Sequence, residues 1–229
     1  MRGAAAAAAL LCLLPSFAEP QDLAFPGGVI WQLTLSPPPV QLPAFDDEQV
    51  YVVMGDGSIR AFDHATGTSR WTAHAVSTVR PAASNRRLAG ADGATAWVID
   101  ADSGAVAWTR DLGALVAATP VVTSAGVTVV TASGELVMLG LADGRDTWRV
   151  SLPAEPTAPV ATAGDRLYVG FGDGRVRAIG MANGTTAWER TLGGTVLGVT
   201  PIGDRLFVGT ADNFLTALKA RDGGTAWRW

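Results

Sequence analysis

Cysteine is almost missing from this chain of 229 residues, in which Cys12 is the only one. It lies within the apolar run AAAAAALLCLL, residues 4–14, so no intramolecular disulfide framework is expected. A lipid-anchored cysteine normally follows a small residue at the cleavage site, whereas Cys12 follows Leu11, and we do not expect a lipid anchor there. Histidine is scarce too: His64 and His74 form one candidate pair of metal ligands, which we interpret as solvated loop residues.

Long apolar runs and long runs of one charge are also lacking. The formal net charge is −4, and without a basic patch we expect no nucleic-acid partner. The run 4–14 is shorter than the roughly 20 residues of a membrane-spanning helix. It follows Arg2 and precedes Pro15-Ser16-Phe17-Ala18, a pattern typical of a signal peptide cut after Ala18. We therefore expect residues 1–18 to be a signal peptide and residues 19–229 to be periplasmic or secreted, with no transmembrane segment; an uncleaved membrane anchor is the alternative.

A sustained helical period is missing from residues 19–229, and a repeat stands in its place. Five times a glycine precedes a tryptophan by four residues. The pairs are Gly67 and Trp71, Gly104 and Trp108, Gly144 and Trp148, Gly184 and Trp188, and Gly223 and Trp227. Successive tryptophans are 37, 40, 40 and 39 residues apart. Trp31 lies 40 residues before Trp71 without the glycine, and we expect it on an extra strand.

Each period contains the elements of one β-propeller blade. A proline introduces a first strand, a β-rich run such as LYVG (167–170) forms a second, and a Gly/Asp/Asn/Ser turn precedes a third. The glycine turn then leads into the tryptophan strand. The second period has only RLAG (87–90) as its β-rich run and is the weakest. Four short strands in about 40 residues predict an all-β propeller over residues 19–229.

The repeated residues are expected to be structural. Glycine suits a turn with positive φ, and tryptophan supplies a large apolar surface with which one blade docks against the next. We assign this docking role to Trp71, Trp108, Trp148, Trp188 and Trp227 and to Gly67, Gly104, Gly144, Gly184 and Gly223. An active site needs one set of groups rather than five equivalent copies. No residue is therefore predicted to be catalytic, to bind a cofactor or to bind a metal.

The stretch AFDHATGTSRW, residues 61–71, resembles the AxDxxTGxxxW motif of pyrroloquinoline-quinone (PQQ) repeat propellers. The motif aspartate recurs only at Asp100; Gly140, Gly180 and Lys219 replace it in the later copies. In that family the motif tryptophan docks blade to blade, and rings commonly have eight blades. The resemblance thus implies that five repeats are an incomplete part of a ring, finished by further sequence or by another chain. A closed five-blade ring is the rival hypothesis.

The resemblance does not extend to the cofactor site. Dehydrogenases of the family hold PQQ with a calcium ion on Glu, Asn and Asp, often beside paired cysteines. Residues 19–229 contain no cysteine and only Asn85, Asn183 and Asn213, so neither PQQ nor calcium is predicted. The motif D100-A-D102 starts like a calcium loop but lacks its third acid. The acidic stretch D46-D47-E48 is interpreted as a solvated loop, with a partner contact as the alternative.

For function, we expect an exported, non-catalytic scaffold that binds protein partners on the propeller faces and self-associates to complete its ring. The resemblance extends to the propeller lipoproteins of the outer-membrane protein assembly machine, without their lipid-attachment motif, which implies a role in envelope protein assembly. The alternative is a fragment of a PQQ-dependent quinoprotein dehydrogenase acting on alcohols or sugars. A sensor domain of a larger signalling protein is a third hypothesis.

Overall fold

The computed structural model describes residues 28–229, so the expected signal peptide and Cys12 lie outside the described residues. Within this range the regular elements are twenty β-strands, and the all-β prediction is confirmed. The described residues include no helix long and apolar enough to cross a membrane.

The strands form five four-stranded sheets, named blades 1 to 5 in chain order. Blade 1 contains β1 (Ala44–Phe45), β2 (Gln49–Val53), β3 (Ser58–Asp63) and β4 (Ser69–His74). Blade 2 contains β5 (Ala82–Ser84), β6 (Arg87–Asp92), β7 (Thr95–Asp100) and β8 (Val106–Asp111). Blade 3 contains β9 (Val121–Thr123), β10 (Gly126–Val130), β11 (Glu135–Leu139) and β12 (Asp146–Ser151). Blade 4 contains β13 (Ala161–Ala163), β14 (Arg166–Gly170), β15 (Arg175–Gly180) and β16 (Thr186–Thr191), and blade 5 contains β17 (Val196–Ile202), β18 (Arg205–Thr210), β19 (Phe214–Lys219) and β20 (Thr225–Arg228).

Each blade is an antiparallel meander in which every strand pairs with the next strand of the chain. The first strands of blades 1 to 4 have only two or three residues and follow the repeated prolines. A β-bulge interrupts the pairing of the third and fourth strands in every blade, just after the residue opposite the repeated tryptophan. Such a bulge increases the local twist of the outer strand and so directs the indole toward the next blade.

The hydrophobic core lies between consecutive blades. Separate clusters of buried apolar side chains join blades 1 and 2, blades 2 and 3, blades 3 and 4, and blades 4 and 5. Among the described residues no such cluster joins blade 5 to blade 1, so the five blades do not close into a ring. This stacking of neighbours matches the quasi-one-dimensional architecture of repeat proteins.

Blade 2 is a complete blade although its sequence is the weakest of the five. Its second strand carries Gly90, which leaves space that the side chain of Trp97 fills: a Cβ on Gly90 would lie only 2.2 Å from the Trp97 ring. The Trp97 indole is buried and its Nε1 donates a hydrogen bond to the carbonyl of Val76, 2.9 Å away. A tryptophan outside the repeat pattern thus replaces the side chains missing from RLAG.

Trp31 differs from the expectation. Residues 28–35 form no strand, and no backbone–backbone hydrogen bond to them occurs within residues 28–229. Residues 31–35 lie against blade 1, where Leu35 packs on a cluster formed by Val52, Met54 and Phe62. Side-chain packing, rather than strand pairing, therefore holds this segment in place.

Candidate functional site

The repeated glycine closes the same turn between the third and fourth strands of every blade. We call the five residues that end at this glycine the docking turn: 63–67, 100–104, 140–144, 180–184 and 219–223. The glycine N–H donates to the carbonyl of the first turn residue at 2.8–2.9 Å, and the glycine φ is between 67° and 73° in all five turns. That left-handed conformation favours glycine. The carbonyl of the second turn residue does not take part in this backbone hydrogen bond and can accept one from elsewhere.

Each docking turn receives an indole from the chain segment that precedes its blade. The indole Nε1 donates to the free carbonyl, three residues before the glycine, in five cases. These pairs are Trp31 with His64, Trp71 with Ala101, Trp108 with Leu141, Trp148 with Met181, and Trp188 with Ala220, at 2.7–3.0 Å. A Cβ on any of the five glycines would lie 2.6–2.8 Å from the indole ring. Glycine is therefore needed for the close approach as well as for φ.

Trp227 is placed differently from the other repeated tryptophans. Trp108 and Trp188 are 8% and 7% exposed, whereas Trp227 is 39% exposed. No residue within 28–229 accepts a hydrogen bond from its indole or places a glycine against it. The structure thus shows where all ten repeated residues lie; their role in docking one blade on the next stays a prediction.

Two side-chain arrangements stabilise the docking turns. In blade 1, Asp63 Oδ1 accepts from the backbone N–H and the hydroxyl of Thr66 at 2.9 Å, and in blade 2 Asp100 accepts in the same way from Ser103. In the later blades the residue before the glycine supplies the acceptor instead. Asp143, Asn183 and Asp222 accept from the N–H two residues on, at 2.9–3.1 Å. The loss of the motif aspartate from three repeats is therefore compensated locally.

Asp63 gives this turn a pH dependence. The Arg70 guanidinium, 2.6 Å away, and the Thr66 donors hold the pKa of the Asp63 carboxyl well below its usual range. A carboxyl with a lowered folded-state pKa stabilises the fold above its unfolded pKa, about 3.9, and this contribution is lost as pH falls toward the folded value.

We predict that Asp63→Asn lowers stability at pH 7 and reduces the loss of stability between pH 6 and pH 3, because the titrating carboxylate is gone. Urea midpoints at the two pH values measure both effects. Asp165→Asn, at a largely exposed carboxylate, is the matched control. An Asp63→Asn variant with the pH dependence of the unmodified chain would contradict the prediction.

One side of the blade stack combines a cavity with exposed aliphatic residues. The connectors, which link the fourth strand of one blade to the first strand of the next, are 75–81, 112–120, 152–160 and 192–195. Each connector is hydrogen-bonded to the turn between the second and third strands of the blade that precedes it. Examples are Leu112 N–H to Ala94 O at 3.0 Å and Leu152 N–H to Gly134 O at 2.8 Å. We call this side the connector face, and the side with the docking turns the turn face.

The connector face carries Val76, Leu115 and Leu197, which are exposed although large and aliphatic. The connectors that lead into the first strands of blades 2, 3 and 4 line a cavity of about 490 Å³ with the residues just before those strands. Its floor is mostly small and apolar, including Ala117, Ala118 and Ala158. A mostly apolar concavity with a few polar groups is the usual form of a binding site.

The turn face carries the acidic stretch D46-D47-E48 beside a smaller cavity that Asp102 and Arg86 also line. Asp46 is structural: its Oδ1 accepts from the N–H groups of Glu48 and Gln49, and its Oδ2 from the Tyr51 hydroxyl at 2.6 Å. Burial, followed by this hydrogen bond to Asp46, raises the pKa of Tyr51 far above its usual value, so Tyr51 stays a donor. The interpretation as a loop thus holds for Asp46, and a partner contact through Asp47 or Glu48 stays untested.

The described residues contain few groups that could hold a metal or a cofactor. Within residues 28–229 no three His, Cys, Asp or Glu side chains come together to hold a metal ion. Asp100 is occupied by its turn and by Arg87, and Asp102 pairs with Arg86. The connector-face cavity offers Arg80 and Glu155 but not the set of calcium ligands that the dehydrogenase resemblance implies. Within residues 28–229 the side chains do not assemble the calcium ligands that accompany PQQ in the dehydrogenases.

Sequence reasoning missed the groups that accompany each tryptophan. Across blade 1, Tyr51, Ala61 and Trp71 are directly opposite one another; across blade 4 the row is Tyr168, Ala178 and Trp188. The aromatic rings lie 5.8 and 6.0 Å apart. Blade 5 repeats this row with Phe207, Ala217 and Trp227. Alignment of the repeats by their tryptophans would have revealed the aromatic position.

Comparisons with known proteins give a consistent result. A family model described as "Outer membrane protein assembly factor BamB" matches residues 23–86, 72–157 and 132–228. The chain is 26% identical over 180 residues to the outer membrane protein assembly factor BamB of Yersinia pestis, a match that covers 70% of this chain and 45% of that protein. It therefore spans about half the length of this curated relative.

Solved structures show the same fold. The crystal structure of BamB from Moraxella catarrhalis matches with a TM-score of 0.62 and 20% identity, over 82% of this chain and 60% of that one. BBS1N in complex with ARL6DN matches with a TM-score of 0.62 and 17% identity, over 80% and 62% of the two chains. The resemblance to PQQ-repeat propellers is thereby confirmed.

Proposed function

The chain belongs to the family of the outer membrane protein assembly factor BamB, and from that premise we propose that it is an exported, non-catalytic scaffold that binds protein partners through its connector face. The family name supports a role in the assembly of outer-membrane proteins, in the periplasm, as the process it serves. No enzyme activity is part of this proposal.

The observation that carries the proposal is the combination of a concave apolar cavity and exposed aliphatic side chains on one face. Leu115 is 60% exposed in a connector that the N–H of Leu112 and of Val116 anchors to the preceding blade. Val76 occupies the corresponding place one repeat earlier. Exposed apolar groups on a rigid surface gain free energy when a partner covers them, and little conformational entropy is lost. The expected partner segment presents apolar side chains to the cavity.

We predict that a photo-crosslinking amino acid at Leu115 captures a component of the outer-membrane assembly machinery in cells, whereas one at Ile202 does not. Ile202 is the matched control because it is 61% exposed but lies on the opposite side, the turn face. It is the last residue of the first strand of blade 5. With the captured partner purified, Leu115→Asp should weaken binding by about tenfold or more, as expected for a well-placed apolar contact.

Ile202→Asp should leave that affinity unchanged, and both variants should unfold at the same urea concentration as the unmodified chain. Equal crosslinking from the two positions, or an unchanged affinity in Leu115→Asp, would contradict the proposal. Stoichiometric uptake of PQQ in the presence of calcium, seen as quinone absorbance, would instead favour a quinoprotein dehydrogenase.

A further inference from the structure

The turn face holds a cavity of about 240 Å³ between blades 1 and 2. Residues 46–49, which lead from β1 into β2, line it from blade 1, and Asn85, Arg86 and Asp102 line it from blade 2. Four carboxylates and one guanidinium are among the lining groups, and we call it the acidic cavity. The excess of negative charge favours a cationic ligand over an anionic one.

Two of these carboxylates can pair with a further cation. Asp47 is exposed and forms no ion pair within residues 28–229, and Glu48 has only a distant partner there, Arg70 at 3.9 Å. Asp102 pairs with Arg86, whose side chain is 80% exposed, so this pair lies at the rim of the cavity. Negative charge alone does not identify a ligand, and the inner end of the cavity is more informative.

Gln49 is the one buried residue among the seven that line the cavity. Alternate residues of a strand point to the same side, so its side chain faces blade 2 together with that of Tyr51. Gln49 is 1% exposed, and its Nε2 donates to Ala101 O at 2.9 Å. Its Oε1 accepts no hydrogen bond from any group within residues 28–229, although buried side-chain oxygens normally have a donor. The group that completes this site must therefore be a donor as well as a cation.

The other blades show which cation the repeat accommodates at this place. Gln49 is opposite the first residue of a docking turn, and in three other blades that position is arginine. These residues are Arg87, Arg166 and Arg205. In blade 4 the Arg166 guanidinium reaches the docking turn of blade 5 and donates to Ala220 O at 2.8 Å and to Arg221 O at 2.6 Å. Ala220 has the same turn position as Ala101, the acceptor of Gln49. A guanidinium between two blades is thus compatible with the repeat.

We propose that the acidic cavity binds the guanidinium of an arginine side chain that a protein partner inserts. Gln49 is shorter than arginine and uncharged, so blade 1 contributes no cation at the place where blade 4 does. The acceptors for the incoming group are Gln49 Oε1, the Asp102 carboxylate and Asp47. A planar guanidinium has five N–H donors in a fixed arrangement and suits several acceptors better than an ammonium does. Only the source of the arginine rests on the proposed scaffold role, because the cavity lies on the turn face and not on the connector face.

The first test is a titration of the ¹⁵N-labelled chain with N-acetyl-arginine amide, followed by NMR. Saturable shifts are expected for the side-chain amide of Gln49 and the backbone amide of Asp102, with a dissociation constant on the order of 1 mM for a single charge-assisted contact. N-acetyl-lysine amide should bind about fivefold more weakly or less. Equal affinities for the two amides would show a general attraction by acidic side chains and would overturn the proposal.

Gln49→Arg tests the place of binding, because its own guanidinium should fill the cavity as that of Arg166 does in blade 4. It should weaken the binding of the arginine amide by about tenfold or more and leave the urea midpoint unchanged or higher. Asp47→Asn should weaken binding by about threefold, as expected for an exposed charge pair. Asp165→Asn, at the corresponding turn of blade 4, is the matched control and should bind like the unmodified chain.

Unchanged binding by folded Gln49→Arg would overturn the proposal. If near-ultraviolet circular dichroism shows that this variant does not fold, Asp102→Asn takes its place under the same criterion. The protein source is tested in cells with a photo-crosslinking amino acid at Glu48, whose capture of a protein should be lost in the Gln49→Arg background. No capture, or capture that persists there, would overturn the protein source. Leu115→Asp should leave the arginine amide affinity unchanged, so a failure of the connector-face proposal is distinguishable from a failure of this one.

Discussion

Replacing Trp108 by alanine is expected to lower the free energy of unfolding by about 3–5 kcal/mol, the usual loss for a buried large aromatic side chain. The indole is 8% exposed and belongs to the apolar cluster that joins blades 2 and 3. Its removal leaves a cavity against Gly144 and also leaves the carbonyl of Leu141 without its donor at 3.0 Å. Both losses act on the junction between two blades rather than within one sheet.

Trp227→Ala is the control for this experiment because Trp227 has the same repeat position on an uncovered face. It is 39% exposed and lacks the hydrogen bond, so the cost should be clearly smaller, about 1 kcal/mol. Urea denaturation at low protein concentration measures both values without self-association. Equal losses in the two variants would show that the tryptophans stabilise their own sheets and not the junctions.

The second large effect concerns the glycine that receives an indole. Gly144→Ala is expected to destabilise the chain by about 2–4 kcal/mol, the sum of left-handed backbone strain and overpacking. The glycine φ is 67°, and an added Cβ would lie 2.6 Å from the Trp108 ring, closer than van der Waals contact allows. The indole is buried and is held by its hydrogen bond to Leu141 O, so a shift of the ring away from the added Cβ would break that bond.

Gly113 separates the two contributions. Its φ is 72°, close to that of Gly144, but nothing lies within 4 Å of the position its Cβ would take. Gly113→Ala should therefore cost only the backbone strain, about 1–2 kcal/mol. The difference between the two variants measures the close approach of the indole. If the variants lose the same free energy, the contact is unimportant and the glycine is needed for φ alone.

The blade architecture could be predicted from the sequence because its signal is repeated. One Gly–Trp pair is weak evidence for a repeat, but five pairs at the same spacing establish the repeat length. The turn residues between the pairs then indicate four strands per repeat. The assignment of Trp31 to a strand was wrong for a physical reason. A tryptophan at the repeat spacing indicates where an indole docks, but a strand needs a partner strand, and residues 28–229 provide none for this segment.

The candidate functional site was harder to predict. Val76, Leu115 and Leu197 lie far apart in the sequence, and only the repeated meander of the blades brings the connectors of Val76 and Leu115 and the start of the β17 strand with Leu197 to one face. Nothing in RLAG indicates that Trp97, seven residues beyond Gly90, completes the packing of blade 2. The sequence also did not reveal that Asp143 takes over the hydrogen-bonding role of the motif aspartate, which Gly140 replaces. The acceptor lies at another position of the turn, while the turn itself is unchanged.

The meander within each blade has a consequence for how the chain acquires its structure. Every strand pairs with a neighbour in sequence, so the loops that must close are short and their entropic cost is small. In the proposed export the chain crosses the membrane before it folds, so a blade can form as soon as its own repeat, about 40 residues long, has emerged on the far side. The indole of that blade can dock only after the next repeat has folded, because the docking turn belongs to the next blade. Emergence from the N-terminus thus leaves one junction surface uncovered at a time, on the most recently folded blade, while residues 31–35, which emerge first, cover blade 1.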